Sequence, residues 1–339
     1  MAEITERDLA QNIKKGKFEK IYLFYGEERY LSRLYAEQIS KKAVEDFREL
    51  NVHSFESNAT VEDIILAAES VPVISEKSVV SITDFNFSAL SKNEQQTFLD
   101  FIEDLPDFCV VILWYDRQEL DKKKNKSLID AVLKAGNAIE FTRKDQNALI
   151  KIMCSRAAKQ GVNMQPTVAR YVISLCSDDL ENLLSETDKL CNYVDNKVVT
   201  IDDVDQIVSV SNEVSIYNLS AQIIEKDFKK AFSTLKNLFD NKVDPTFILI
   251  TLSKAFVDVY RVKMAESEGV SLSQIGADFK YGNRAFVLNK CKTSAKSIDK
   301  KSAENIIKYL YQSTMKIKSC EIEPKIVVET AVLELIRMC

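Results

Sequence analysis

Five short apolar runs of strand-forming residues, IYLFY (21–25), VHSF (52–55), VVSIT (79–83), VVILW (110–114) and AIEF (138–141), punctuate the first 142 residues. Segments of helical periodicity at 29–48, 61–70, 92–104 and 127–135 lie between them. A continuously apolar strand has no solvent face, and strands joined through helices run parallel. The pattern therefore predicts an α/β domain whose parallel sheet is covered on both sides. Beyond FTRKD (141–145) no strand pattern follows and the reading becomes helical. Ser177 reads as an N-cap, with Asp178 and Asp179 in the first turn and apolar positions at Leu180, Leu183, Leu184, Leu190 and Cys191. Thr200 and Asp203 have capping-box spacing. Two or three helices between about 145 and 210 make a small bundle, and VSNEV (210–214) reads as a linker. Further amphipathic helices follow. The longest, 244–267, has Asp244 as a cap and Pro245 at the first helical position, and EPKIVVETAVLELIRMC (323–339) has a similar start. This last third is all-α and must bury its apolar faces within itself or against neighbouring subunits.

A chain of 339 residues is long enough for two or three domains at roughly 100–200 residues each. With 46% apolar and 29% charged residues, and no apolar run near the ~18 needed to span a bilayer, it reads as a soluble globular protein with no membrane partner. The N-terminal segment MAEITERDLAQNIKKGK is charged and amphipathic, unlike a secretory signal, so a cytoplasmic location is expected. Seven cysteines (109, 154, 176, 191, 291, 320, 339) are widely spaced without a Cys-x-x-Cys pair, and His53 is the one histidine. That composition speaks against a disulfide framework and a zinc site, and no metal is expected. His53 sits in the strand-like NVHSFES with no nucleophile motif beside it, so it reads as a strand residue and not as a catalytic one.

Glycine is scarcer still. The seven glycines (16, 26, 136, 161, 269, 276, 282) include no two separated by 2, 4 or 5 positions, which excludes G-x-G-x-x-G, G-x-S-x-G and the Walker A pattern throughout. IYLFYGEERYLSR (21–33) nevertheless has the strand, glycine, helix order of a nucleotide fold. Where a phosphate loop needs a second glycine, then Lys and Ser or Thr, it has Leu31, Ser32 and Arg33, and Glu27 and Glu28 stand where phosphates would lie. Two carboxylates there repel a triphosphate. No nucleotide cofactor is expected, and the segment reads as a structural first strand and helix.

Two other regions attract notice. Thr60 and Asp63 start a helix that must end before Pro72, and the connector to the next strand is the apolar Val71-Pro72-Val73-Ile74, where turn chemistry calls for Gly, Asn or Asp. Such a connector either folds into its own core, which the residues alone favour, or projects as an anchor for a partner's groove. The net charge of −5 is also uneven: residues 280–339 carry twelve basic and six acidic residues, and 280–318 carry ten and two. A basic segment of this kind suits a polyanion-facing surface, although solvated helix faces also collect lysines. RAFVLN (284–289) lacks the glycine of an RNA-recognition strand, and DKKKNKS (121–127) reads as a solvated loop.

The segments YLFYGEERYL, SVPVISEKSVVSITDF, DDLENLLSETDKLCNYV and MKIKSCEIEPKIVVETAVLELI occur in an order and spacing that resembles the delta-subunit family of the bacterial DNA polymerase III clamp loader, over essentially the whole chain. The resemblance implies an AAA+-like α/β domain at 1–142 without a functional P-loop, a small helical lid domain at 143–211 and a helical collar at 212–339. It implies a subunit without catalysis of its own, joined through the collar to ATPase partners in a five-subunit ring that loads a sliding clamp on primed DNA. It also implies that an apolar pair after the second helix of the first domain contacts the clamp. By position that pair is Val73 and Ile74, with Val71 and Pro72 alongside; two β-branched residues depart from the usual Leu-Phe type. The collar's inner face can approach DNA, for which Lys316 and Lys318 are the candidates. The alternatives are a divergent AAA+ ATPase acting on nucleic acid and a helical scaffold without a clamp role.

Overall fold

A computed structural model describes residues 4–176, 178–282, 285–319 and 322–339. The chain divides into two compact units that meet in sequence at Arg143 and Lys144. In the first, the elements run α1 (Glu6–Lys14), β1 (Ile21–Tyr25), α2 (Arg29–Ala43), α3 (Arg48–Asn51), β2 (Val52–Phe55), α4 (Val61–Glu69), β3 (Ser78–Thr83), α5 (Lys92–Glu103), β4 (Cys109–Trp114), α6 (Lys126–Ala135) and β5 (Asn137–Glu140). The strands form one parallel sheet in the order β2-β3-β4-β1-β5, with Leu23 opposite Leu113 on one side and Ala138 on the other.

The apolar runs are strands because both faces of the central three are covered: Ile21, Leu23, Val80, Val111 and Leu113 on one face and Tyr22, Phe24, Val79 and Ile112 on the other are all buried. One face packs on an aromatic cluster in which Phe98 of α5 meets Phe85, Phe87 and Phe101. Helix starts follow their caps. The Thr60 hydroxyl accepts from Asp63 N–H to begin α4, and Ser91 and Glu94 form a capping box at α5. The α1 start has the same box, Thr5 with Asp8, a signal in the sequence that apolar periodicity over nine residues was too short to reinforce. The helix expected over 29–48 stops at Ala43: Val44 is extended, and the chain re-enters one helical turn only after Phe47, which is left-handed at φ 50°.

The second unit contains α7 (Gln146–Lys159), β6 (Asn163–Met164), α8 (Pro166–Cys176), α9 (Leu180–Tyr193), β7 (Val198–Val199), α10 (Ile201–Ile207), α11 (Asn212–Ile224), α12 (Phe228–Asp240), α13 (Pro245–Glu268), α14 (Leu272–Asp278), α15 (Ala285–Ser297), α16 (Lys300–Lys318) and α17 (Pro324–Met338). It is helical except for the β6–β7 ladder, whose two-residue strands carry no readable alternation. Asp179, not Ser177, caps α9, its carboxylate accepting from Asn182 N–H at 2.8 Å; Ser177 itself lies outside the described residues. The VSNEV segment is not a free linker, because Ser211 caps α11 and residues from Asn212 onward are helical.

Around α13 a single core gathers Ile216 and Leu219 of α11, Leu235 of α12, Leu252, Phe256 and Val259 of α13, Ile306 and Leu310 of α16, and Val328 and Val332 of α17. Within it the buried Asp258 carboxylate accepts from the Tyr217 hydroxyl at 2.7 Å and from the Tyr281 hydroxyl, and Arg261 donates to the same Tyr281 oxygen at 2.8 Å. These bonds tie α11 and the segment after α14 to α13, satisfying a charge that would otherwise be costly to bury. Cys109, Cys176 and Cys291 are likewise buried, and desolvation pushes their thiols up to about 11, 12 and 12. They behave as small core residues, in keeping with their spacing in the sequence. Among the described residues no helix is long and apolar enough to cross a membrane.

Candidate functional site

The Val71–Ile74 connector is not core. Helix α4 ends at Ser70, which turns extended, and Val71 and Ile74 are then 75% and 78% exposed, with Val73 about half so. Burial within the domain, the reading that residue types alone favoured, is thereby overturned. The reason is topological. The connector leads from the end of α4 to the start of β3, so it lies at the N-terminal ends of the parallel strands and outside the sheet itself.

Two features hold it in a defined shape. Ile74 has φ 56°, the left-handed region that β-branched residues avoid and Gly or Asn occupy without strain. The position thus has the backbone of the turn residue that the sequence lacks. Beside it the fully buried Asn51 side chain grips Val73 on both sides: Val73 N–H donates to Oδ1 at 2.7 Å, and Nδ2 donates to the Val73 carbonyl at 2.9 Å. The second Nδ2 hydrogen goes to the Phe47 carbonyl at 3.0 Å. One amide therefore fixes the connector against α3, 22 residues earlier in the chain. Sequence reasoning missed Asn51, since nothing local distinguishes this asparagine from a solvated one.

The strand, glycine, helix segment lies at the opposite, C-terminal edge. Only Gly26, Glu27 and Glu28 separate β1 from α2. Gly26 has φ 121°, and a Cβ there would stand 2.4 Å from the Phe141 carbonyl oxygen. That same oxygen accepts from Glu28 N–H at 2.9 Å, while Phe141 N–H donates to the Tyr25 carbonyl at 2.7 Å. The Phe141 ring stacks on Tyr35 and tilts against Phe24. The glycine is thus required by a backbone crossing, and a turn N–H that a phosphate loop would direct at its ligand is bonded to protein. Asp84, at the end of β3, is engaged similarly: its carboxylate accepts from the N–H groups of Asp116, Arg117 and Gln118 at 2.9–3.2 Å. Among the described residues no group of three His, Cys, Asp or Glu is arranged to hold a metal ion.

Lys316 and Lys318 are both exposed near the end of α16, with Ile317 between them buried. Two positions on a helix are about 200° apart, so they flank an exposed stripe and do not share one face. The stripe carries Lys308, Tyr311 and Met315, with the Tyr311 ring largely in solvent. Elsewhere in the basic segment Lys290 donates to the Ser174 carbonyl at 3.2 Å, which engages part of its charge within the unit. Arg284 lies outside the described residues.

Residues 22–142 match the family model for the DNA polymerase III delta subunit, and residues 213–335 match the model for that subunit's C-terminal domain. The chain belongs to the DNA polymerase III delta subunit family. The DNA polymerase III subunit delta of Bacillus subtilis is 21% identical over 339 residues, covering 97% of this chain and 96% of that one. A probable subunit delta of Aquifex aeolicus is 22% identical over 297 residues, covering 85% and 83%. The solved structure of the Bacillus subtilis DNA clamp loader delta protein superposes with a TM-score of 0.63 at 20% identity over 98% of this chain and 99% of that one, which establishes a common fold. In delta-subunit terms the expected α/β plus all-α architecture is present, with its parallel sheet and its helical remainder.

Proposed function

We propose that this delta subunit binds a sliding clamp through Val71–Ile74 and holds one interface of the clamp ring open while ATPase partners, joined to it through residues 212–339, carry out the nucleotide chemistry. The observation that carries the reading is the exposed, left-handed Ile74 directly after Val73, whose backbone N–H and carbonyl the Asn51 amide holds. An aliphatic side chain in solvent on a strained backbone gains nothing for the isolated fold, and such strain is kept where a partner uses it. Residues 143–211 serve as the lid-like middle domain of this arrangement. The binding free energy itself selects the open ring, since a ligand shifts an equilibrium only by its differential affinity for the two states.

Supporting a non-hydrolytic role, the three-residue turn at Gly26 has Glu27 and Glu28 in place of a phosphate cradle, Glu28 N–H is bonded to Phe141, and Asp84 is taken up by backbone N–H groups. The test is a binding measurement between the purified chain and its cognate clamp without nucleotide, with an ATP titration alongside. The expected outcome is nucleotide-independent clamp binding and no ATP binding at micromolar concentration. Micromolar ATP affinity, or clamp binding only with ATP, contradicts the proposal and favours a divergent ATPase.

For DNA, the proposal places the α16 stripe toward primed template, where lysines neutralise phosphates and the exposed Tyr311 offers a stacking surface. In the assembled complex Lys316→Ala and Lys318→Ala are each expected to reduce the slope of log affinity against log salt by about 1. An unchanged slope in both removes them from the interface.

A further inference from the structure

Among the described residues, the non-glycine positions with positive φ are Asp84, Lys197, Lys226, Lys242, Lys280, Phe47 and Ile74. Five are polar. The two bulky apolar ones are both exposed and both adjoin the bonds of one side chain, the Asn51 amide, which binds the Phe47 carbonyl and both backbone groups of Val73. The elbow at Phe47 is fixed from its other flank as well: the Arg48 guanidinium donates to the carbonyls of Ser40 and Val44 at 2.7 and 2.8 Å and to the Ser40 hydroxyl at 3.0 Å, closing the end of α2. Leu50, one turn on in α3, is half-exposed, with its N–H bonded to the Phe47 carbonyl.

A phenylalanine in the left-handed region costs free energy that Gly or Asn would not, and here the surroundings force it from two sides while leaving about half of the side chain in solvent. Ile74 is also left-handed, more exposed still, and follows directly on the Val73 backbone that Asn51 holds. From this shared construction we infer that the docking surface has two segments: Phe47 and Leu50 on the α2–α3 elbow supply its second half, with Asn51 as the rivet that fixes their register to Val73 and Ile74. The partner is the one that receives Ile74, a folded protein offering an apolar pocket, because a surface bolted to the connector through a single amide is presented to whatever the connector meets. Rigid presentation of both halves removes ordering cost from association. The inference rests on the clamp-binding reading above.

The test uses the full chain and its cognate clamp with Phe47→Asn, Leu50→Asn and Ile74→Asn, each also followed by thermal unfolding. Asparagine tolerates the left-handed region, so Phe47→Asn and Ile74→Asn keep or raise the unfolding temperature, and loss of binding then is not loss of fold. Leu50 lies in an ordinary helical position and provides an independent variant. Expected is a loss of affinity of about tenfold or more for both Phe47→Asn and Leu50→Asn, in line with central apolar contacts. If Ile74→Asn loses binding while both elbow variants bind like the parent chain, the second segment is refuted and the clamp-binding reading stands. If all three bind like the parent, both fail.

Discussion

Val73→Asp and Ile74→Asp are each expected to lower affinity for the cognate clamp at least about 100-fold, equivalent to about 2.7 kcal/mol. A carboxylate carried into an apolar pocket must either stay charged without a partner or take up a proton, and both outcomes cost more than the aliphatic contact that is lost. The neutral replacement Ile74→Asn separates binding from folding. It relieves a β-branched residue of φ 56°, so stability rises by about 1 kcal/mol while affinity falls. Equilibrium binding and chemical denaturation on the same samples check both signs. Unchanged affinity in both Asp variants removes the connector from the interface, and a stability loss in Ile74→Asn removes the argument from strain.

The largest expected effect on stability is at Gly26. Gly26→Ala places a Cβ 2.4 Å from the Phe141 carbonyl oxygen at a φ of 121° that L-residues rarely adopt, and the contact is with backbone that is itself bonded to Tyr25 and Glu28. Neither side can yield without breaking the β1–β5 crossing, so a cost of about 3 kcal/mol or more is expected in denaturant unfolding. Clamp affinity should be unaffected under conditions where the variant is folded, because Gly26 and the Val71–Ile74 connector lie at opposite edges of a parallel sheet. A well-folded Gly26→Ala variant of parental stability would mean that the glycine is not kept for the backbone crossing.

Much of the fold was legible because its signals are local. The three central strands announce themselves as apolar runs since both faces of the sheet are covered there, and Thr60, Thr200 and Asp244 cap helices within three residues of themselves. What escaped depends on partners far away in sequence or on segments too short to show a period. The break after Ala43 is imposed by Arg48 reaching back to the last turn of α2, and the β6–β7 ladder is two residues long. The connector was legible as an anomaly, apolar where Gly, Asn or Asp belongs. Its exposure was not, because burial depends on which edge of the sheet a segment crosses. Asn51 gave no signal at all: its role exists only once Phe47 and Val73 are brought to it. For the basic segment, composition marked the region, while the helix geometry that sets Lys316 and Lys318 on opposite flanks of α16 shows that charge density alone does not define a binding face.

The claim that binding energy alone holds a ring interface open is tested most directly by distance across that interface. A cognate clamp labelled with a fluorophore pair spanning one subunit boundary, mixed with this chain in the absence of ATP and of any other subunit, should show the labels move apart on binding and return together when Ile74→Asp replaces the parent chain. Tight binding of the parent chain with no change in separation, or separation only when ATP and the partner subunits are added, would contradict the account.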